Sequence, residues 1–179
     1  MTVKAKGDKS EYYLDVDLEK DMGINIPMTD AASREVGRAI IDAIISRTRD
    51  QGRPLTGGKF ADYSEAYAKK KGVGVSDVDL TLFGDMLDSL SVTGISGKKI
   101  RIESDDPFQT PKMFNHNTGD TLPKREFFGI LSTELENIKD SMRERIETSS
   151  GADRQIREQD SGLAAIAEAL IKGIDFRGR

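Results

Sequence analysis

Residues 113–130 read MFNHNTGDTLPKREFFGI, and the rest of the chain is organised around them. Met113, Phe114 and His116 form a mixed apolar and polar opening, followed by a turn at Asn117 to Gly119. Pro123 fixes one backbone angle ahead of Lys124 and Arg125, and the adjacent aromatics Phe127 and Phe128 follow. Neighbouring side chains on an extended segment point to opposite faces. One ring is therefore expected in the core, and the other under a neighbouring element or a neighbouring subunit.

Downstream, Leu131, Leu135, Ile138, Met142 and Ile146 make a narrow apolar stripe, which predicts a helix over Ser132 to Glu147. Thr148 to Gly151 reads as a linker and Asp153 to Asp160 as a charged stretch. Gly162 to Ile174 carry a compact apolar face (Leu163, Ile166, Ala167, Leu170, Ile174) suited to folding back or docking on another chain.

Upstream, Ser91 to Ile95 and Lys98 to Glu103 read as two strands joined at Ser96-Gly97. Ile100 and Ile102 alternate with charged neighbours, as in a half-exposed antiparallel sheet. Leu80 to Leu90 predicts a short amphipathic helix, and Gly72 to Asp79 a flexible polar loop. Asp62 to Lys71 predicts a helix with a capping box at Asp62 and Glu65 and an inner stripe of Tyr63, Ala66 and Tyr67. Its Lys69-Lys70-Lys71 end reads as a solvated terminus favoured by the helix dipole, with phosphate contact the alternative.

A core helix is expected over Ala31 to Asp50, capped by Thr29 or Asp30. Val36, Ala39, Ile40, Ala43 and Ile44 face inward, widened by Ile41 and Ile45, while Arg34, Glu35, Arg38, Asp42, Arg47 and Arg49 populate the other faces. Asp21 to Met28 reads as a loop, Tyr12 to Leu18 as an edge strand, and residues 1–10 as a flexible tail. The domain division is thus an N-terminal extension with a candidate strand (1–28), an α+β domain (29–147), and a linker with a C-terminal helical extension (148–179).

The chain has 179 residues, no Cys, one His and a formal net charge of −4. That length suits one domain, and the acidic balance argues against a dedicated nucleic-acid binder. The lack of Cys excludes disulfides and thiolate chemistry. No apolar run approaches a membrane span, so a soluble protein made in the cytoplasm is expected. Gly52 and Gly57-Gly58-Lys59 imitate a phosphate-binding loop, but Phe60 follows the lysine and a helix precedes it. Asp77, Asp79, Asp85, Asp88, Asp105 and Asp106 have no metal-ligand spacing and read as solvated carboxylates. His116 reads as a hydrogen-bonding structural histidine. No catalytic, cofactor-binding or metal-ligating residue is assigned, and a non-enzymatic protein without a cofactor is expected.

The order of these segments resembles the bacteriophage virion morphogenesis and tail-completion proteins, with their head–tail joining and tail-terminator relatives. Tyr63 to Gly72 matches that family's second helix, Leu82 to Leu90 the helix feeding a hairpin, Met113 to Gly119 the histidine segment, and Leu122 to Ile130 the most distinctive motif. Phe83-Gly84 stands where the family has Thr-Gly. The resemblance spans about Ala31 to Glu147. It implies a small twisted antiparallel sheet packed on helices, assembled as a ring, commonly of six copies, at the neck or tail terminus. Partners implied are further copies, neighbouring neck, adaptor and tail-tube proteins, and DNA passing through the lumen without specific binding; the location implied is the virion. Pro123, Arg125, Phe127, Phe128, His116 and Tyr67 are the candidate subunit-contact or core-pinning residues. The alternative is a small intracellular adaptor that binds through its C-terminal amphipathic helix.

Overall fold

Alternation along residues 12–17 sets the sheet. In the computed structural model, which describes residues 2–5, 11–25, 28–81 and 84–145, Tyr12, Leu14 and Val16 point inward and are buried. Tyr13, Asp15 and Asp17 face the other way. The strands are β1 (Thr2–Ala5), β2 (Tyr12–Asp17), β3 (Leu90–Ser96) and β4 (Lys99–Ser104). They form one antiparallel sheet in the order β1-β2-β4-β3. Leu14 sits opposite Ile102 and Val16 opposite Ile100, so the inward faces of β2 and β4 coincide. The outward face carries a charged network instead. Arg101 lies 3.9 Å from the Tyr13 ring centroid and bonds Asp15 at 3.2 Å, and Lys4 bonds the same carboxylate at 2.8 Å.

The helices are α1 (Leu18–Met22), α2 (Asp30–Ile45), α3 (Glu65–Lys71), α4 (Asp85–Asp88), α5 (Thr110–Thr118) and α6 (residues 132–145). Helix α2 runs directly into a π-helical turn, Ser46–Asp50. Thr29 caps α2 by accepting from the Ala32 N–H. The α2 stripe of Val36, Ile40 and Ile44 is fully buried and covers β3 and β4. Gly37 permits that approach: a Cβ there would press on Val92 and lie 3.2 Å from Ile100 Cγ2. The fold is α+β. Residues 1–138 form one compact unit and 139–179 a second. Residues 132–138 of α6 belong to the first and 139–145 to the second.

Several sequence expectations are corrected. Residues 2–5 are a strand rather than a flexible tail, and they pair with β2, which places β2 inside the sheet and not at its edge. Backbone pairing of this kind leaves no trace in a four-residue composition. Within the segment 1–28, residues 2–5 and 12–17 are thus strands of the sheet. The loop expected from Asp21 begins after α1, whose last residue is Met22. Helix α3 starts at Glu65, where Ser64, not Asp62, is the cap; Ala68 is buried and Ala66 exposed. Among the described residues of Leu80 to Leu90 only Asp85–Asp88 is helical; Leu80 takes a left-handed φ of 56° and Leu90 already pairs with Ser104. Leu82 and Phe83 lie outside the described residues, as do Ile146 and the expected linker and C-terminal helix (148–179). Met113 to Thr118 is helical, ending at left-handed Gly119, where a turn from Asn117 was expected.

Candidate functional site

The proline-led stretch reaches its place through backbone bonds to two other segments. Arg125 N–H donates to the His116 carbonyl at 2.7 Å, and the Glu126 carbonyl accepts from Leu55 N–H at 2.7 Å. Gly129 follows with φ +146°, and a Cβ there would lie 2.7 Å from Leu55 Cδ1. The loop Gly52 to Lys59 is therefore anchored at Leu55, leaving Thr56 to Lys59 exposed.

Both aromatics enter the core. Phe127 and Phe128 are each 0% exposed, with ring centroids 6.2 Å apart. The expected division, one ring inside and one at a neighbour, is corrected: opposite faces of this segment are both covered by the same chain. Phe128 packs 5.4 Å from Tyr12, which also meets Phe114 edge-on at 5.5 Å. Asn117 locks this corner. Its Oδ1 accepts from Phe128 N–H at 2.8 Å, and its Nδ2 donates to the Tyr12 hydroxyl at 2.6 Å. Burial pushes the Tyr12 phenol up to about 12, with the Asn117 bond opposing it.

Two arginines clamp the same stretch. Arg125 Nε donates to the Ala61 carbonyl at 2.8 Å, its Nη2 donates to the Asp62 carbonyl at 2.7 Å, and its guanidinium lies 5.2 Å from the Tyr63 centroid. Arg47, expected on an outer face, is 1% exposed. It pairs with Glu134 and donates to the carbonyls of Phe127 and Gly129. The signal was present in the spacing, because Ile40, Ile44 and Arg47 follow one another on a single helical face.

Beside Arg125, the rings of Tyr63 and Tyr67 pack with centroids 4.7 Å apart, tilted by 54°. The Tyr63 hydroxyl accepts from Leu80 N–H at 3.0 Å and from Lys71 Nζ at 3.3 Å. Lys71 also pairs with Asp79, so this lysine and this aspartate are not solvated in the way their sequence context suggested. Burial raises the Tyr63 phenol, against the bonds from Lys71 and Leu80. A lysine in a basic triplet and an aspartate in a polar loop gave no hint of each other.

The six nominated residues thus divide. Phe127, Phe128 and Arg125 are buried pins of the core, Tyr67 and His116 are half-buried, and Pro123 is exposed. His116 Nδ1 is buried without a hydrogen-bond partner, which corrects the hydrogen-bonding role expected for it. Burial, with the Arg125 charge adding to it, pushes its pKa down to about 4. An imidazole held neutral with an unpaired buried nitrogen, beside a cation and with no carboxylate partner among the described residues, is poorly arranged for general acid–base work. Among the described residues no group of three His, Asp or Glu side chains could hold a metal ion, and no helix is long and apolar enough to cross a membrane.

Compared with protein-family models, with curated proteins and with solved structures, the chain matches none of them.

Proposed function

We propose that this chain is a structural virion protein of a tailed bacteriophage. It forms a ring, of six copies, at the neck or tail terminus, joins head to tail and lets DNA pass. One observation carries this reading. Three of the four segments that resemble the family's motifs meet at Arg125, which lies in the last of them: its backbone bonds the His116 helix, and its side chain bonds the turn before α3 and lies over Tyr63. A node built from backbone carbonyls and packed rings gives shape rather than reactivity. The exposed residues left for contacts with copies and with neck, adaptor or tail-tube proteins include Pro123, Thr56 to Lys59, Gly72 and Gly74 to Asp77. An acidic subunit suits a lumen through which phosphates pass without sticking.

The reading is tested by deleting the gene in a host that produces the phage and imaging the particles. Filled heads beside detached tails, restored to joined particles by the gene in trans, are expected, with the chain found in purified virions by mass spectrometry. Normal tailed, infectious particles made without the chain overturn it.

A further inference from the structure

Among the described residues Phe108 is the most exposed large apolar side chain, at 80%. It does not sit on a loose loop. Its N–H donates to Asp106 Oδ1 at 2.8 Å, the Asp106 N–H donates to Ser104 Oγ at 3.1 Å, and Pro107 fixes the angle between them. The turn therefore holds a phenyl ring out into solvent. Asp105 beside it is exposed, and no cation among the described residues pairs with it.

Between α2 and the start of β3 lies a groove of about 270 Å³. Ile41, Leu90 and Val92 form its apolar floor, and Arg34, Arg38 and Asp42 its rim. An apolar cavity of about 150 Å³ already admits a benzene ring, so this groove has room for a phenyl side chain. Arg38 has no partner among the described residues, and Arg34 reaches only the Val92 carbonyl, at 3.4 Å. That contact already takes up one carbonyl of edge strand β3, which favours a side chain over an added strand as the occupant. Phe108 stands exposed in its own chain, so its own groove does not hold it.

We propose that the Asp105–Phe108 corner of one copy docks in the Arg34–Arg38 groove of a second copy of this chain. Phe108 fills the apolar floor, while Asp105 and Asp106 meet the two guanidinium groups, which can also stack on the ring. Corner and groove are different patches, so the contact is heterologous, as a ring requires. It names where copies meet in the assembly proposed above and to that extent rests on that reading.

The test is sedimentation equilibrium of the full chain up to about 1 mM, at low salt, with circular dichroism to establish folding. Concentration-dependent association is expected, weakened about tenfold or more by Phe108→Ser and by Arg38→Glu. All the substituted side chains are exposed, so the fold should be kept. Combining Arg38→Glu with Asp105→Lys should recover most of the lost affinity. A chain that stays monomeric throughout, whatever else the groove binds, overturns the contact. So does a Phe108→Ser variant that associates as the parent does, or a charge swap without recovery. Association that follows the expected pattern in a chain absent from virions would sink the neck reading and leave this contact standing.

Discussion

Arg47 Nη2 donates to the Phe127 carbonyl at 2.6 Å, joining the end of the long helix to the aromatic corner across 80 residues of sequence. The same nitrogen donates to the Gly129 carbonyl at 2.8 Å. Glu134, the arginine's ion-pair partner, also accepts from Leu131 N–H at 2.8 Å. One buried cation therefore satisfies two carbonyls and orients the carboxylate that caps the start of α6. Buried charge is costly unless every neighbour is matched, and here most are.

Removing that cation should be severe. Arg47→Ala leaves two carbonyls and a carboxylate without their donor, and is expected to cost about 3–5 kcal/mol. Arg47→Lys should rescue only part of this, because an ammonium cannot present the planar fork. Urea unfolding midpoints measure both; a loss below about 1 kcal/mol for the alanine variant would show that the clamp is dispensable.

Gly37→Ala sets two effects of opposite sign against each other. Helix propensity favours alanine by about 1 kcal/mol. Packing opposes it, since the new methyl would meet Val92 and Ile100 on the sheet. Backbone-to-sheet crowding should win, for a net loss of about 1–3 kcal/mol in chemical denaturation. A stabilised variant would mean that α2 can lift from β3 at little cost.

Asp79→Asn would strip Lys71 of its counter-charge, and the lysine side chain is only 7% exposed. Because Asp79 is itself 31% exposed, the expected cost is moderated to about 2 kcal/mol. Tyr63→Phe should add a separate loss, since it leaves the Leu80 N–H without its acceptor. Thermal unfolding of the single and double variants reads the coupling between them.

His116 makes stability depend on mild acid. Its folded pKa, about 4, lies below the ordinary histidine value of 6.5, so the unfolded chain takes up the proton first. The contribution is complete above pH 6.5 and is lost as pH falls from 6.5 through 4. Asp15 and Asp79 shift below the ordinary carboxylate value of 3.8, because burial, which raises both, is outweighed by bonds from Lys4 and Arg101 to Asp15 and from Lys71 and Thr81 to Asp79, so their losses fall at lower pH. Replacing His116 by Gln should flatten the curve between pH 6.5 and 4 in denaturation at stepped pH. An unchanged slope would remove the imidazole as the cause.

Charge reversal at Arg125 and replacement of Phe128 by Ser should act first on folding. Phe128 is fully buried and Arg125 holds two carbonyls, so each variant is expected to lose about 3–5 kcal/mol. Soluble, fully folded Phe128→Ser protein at ambient temperature with an unchanged unfolding midpoint would contradict the corner's role as a core pin.

Local patterns read well where period and burial coincide. The stripe of α2, the Thr29 cap and the alternation of Ile100 and Ile102 were legible because a regular element with one buried face repeats at a fixed spacing. The same rule extends through Ile40 and Ile44 to Arg47, where its charge concealed the position. Residues 2–5, the left-handed Leu80 and the meeting of Lys71 with Asp79 had no such period to follow.

The sequence by itself determined the long helix α2, the strands β2, β3 and β4, the inward faces of α2 and β4, and the lack of thiol chemistry, since each follows from residue type and spacing along the chain. Only the tertiary structure decided that Phe127 and Phe128 are both interior, that two arginines hold the aromatic corner, and that the first strand completes the sheet. Those outcomes depend on which distant carbonyl, ring or strand edge arrives beside a residue. No local spacing encodes that choice.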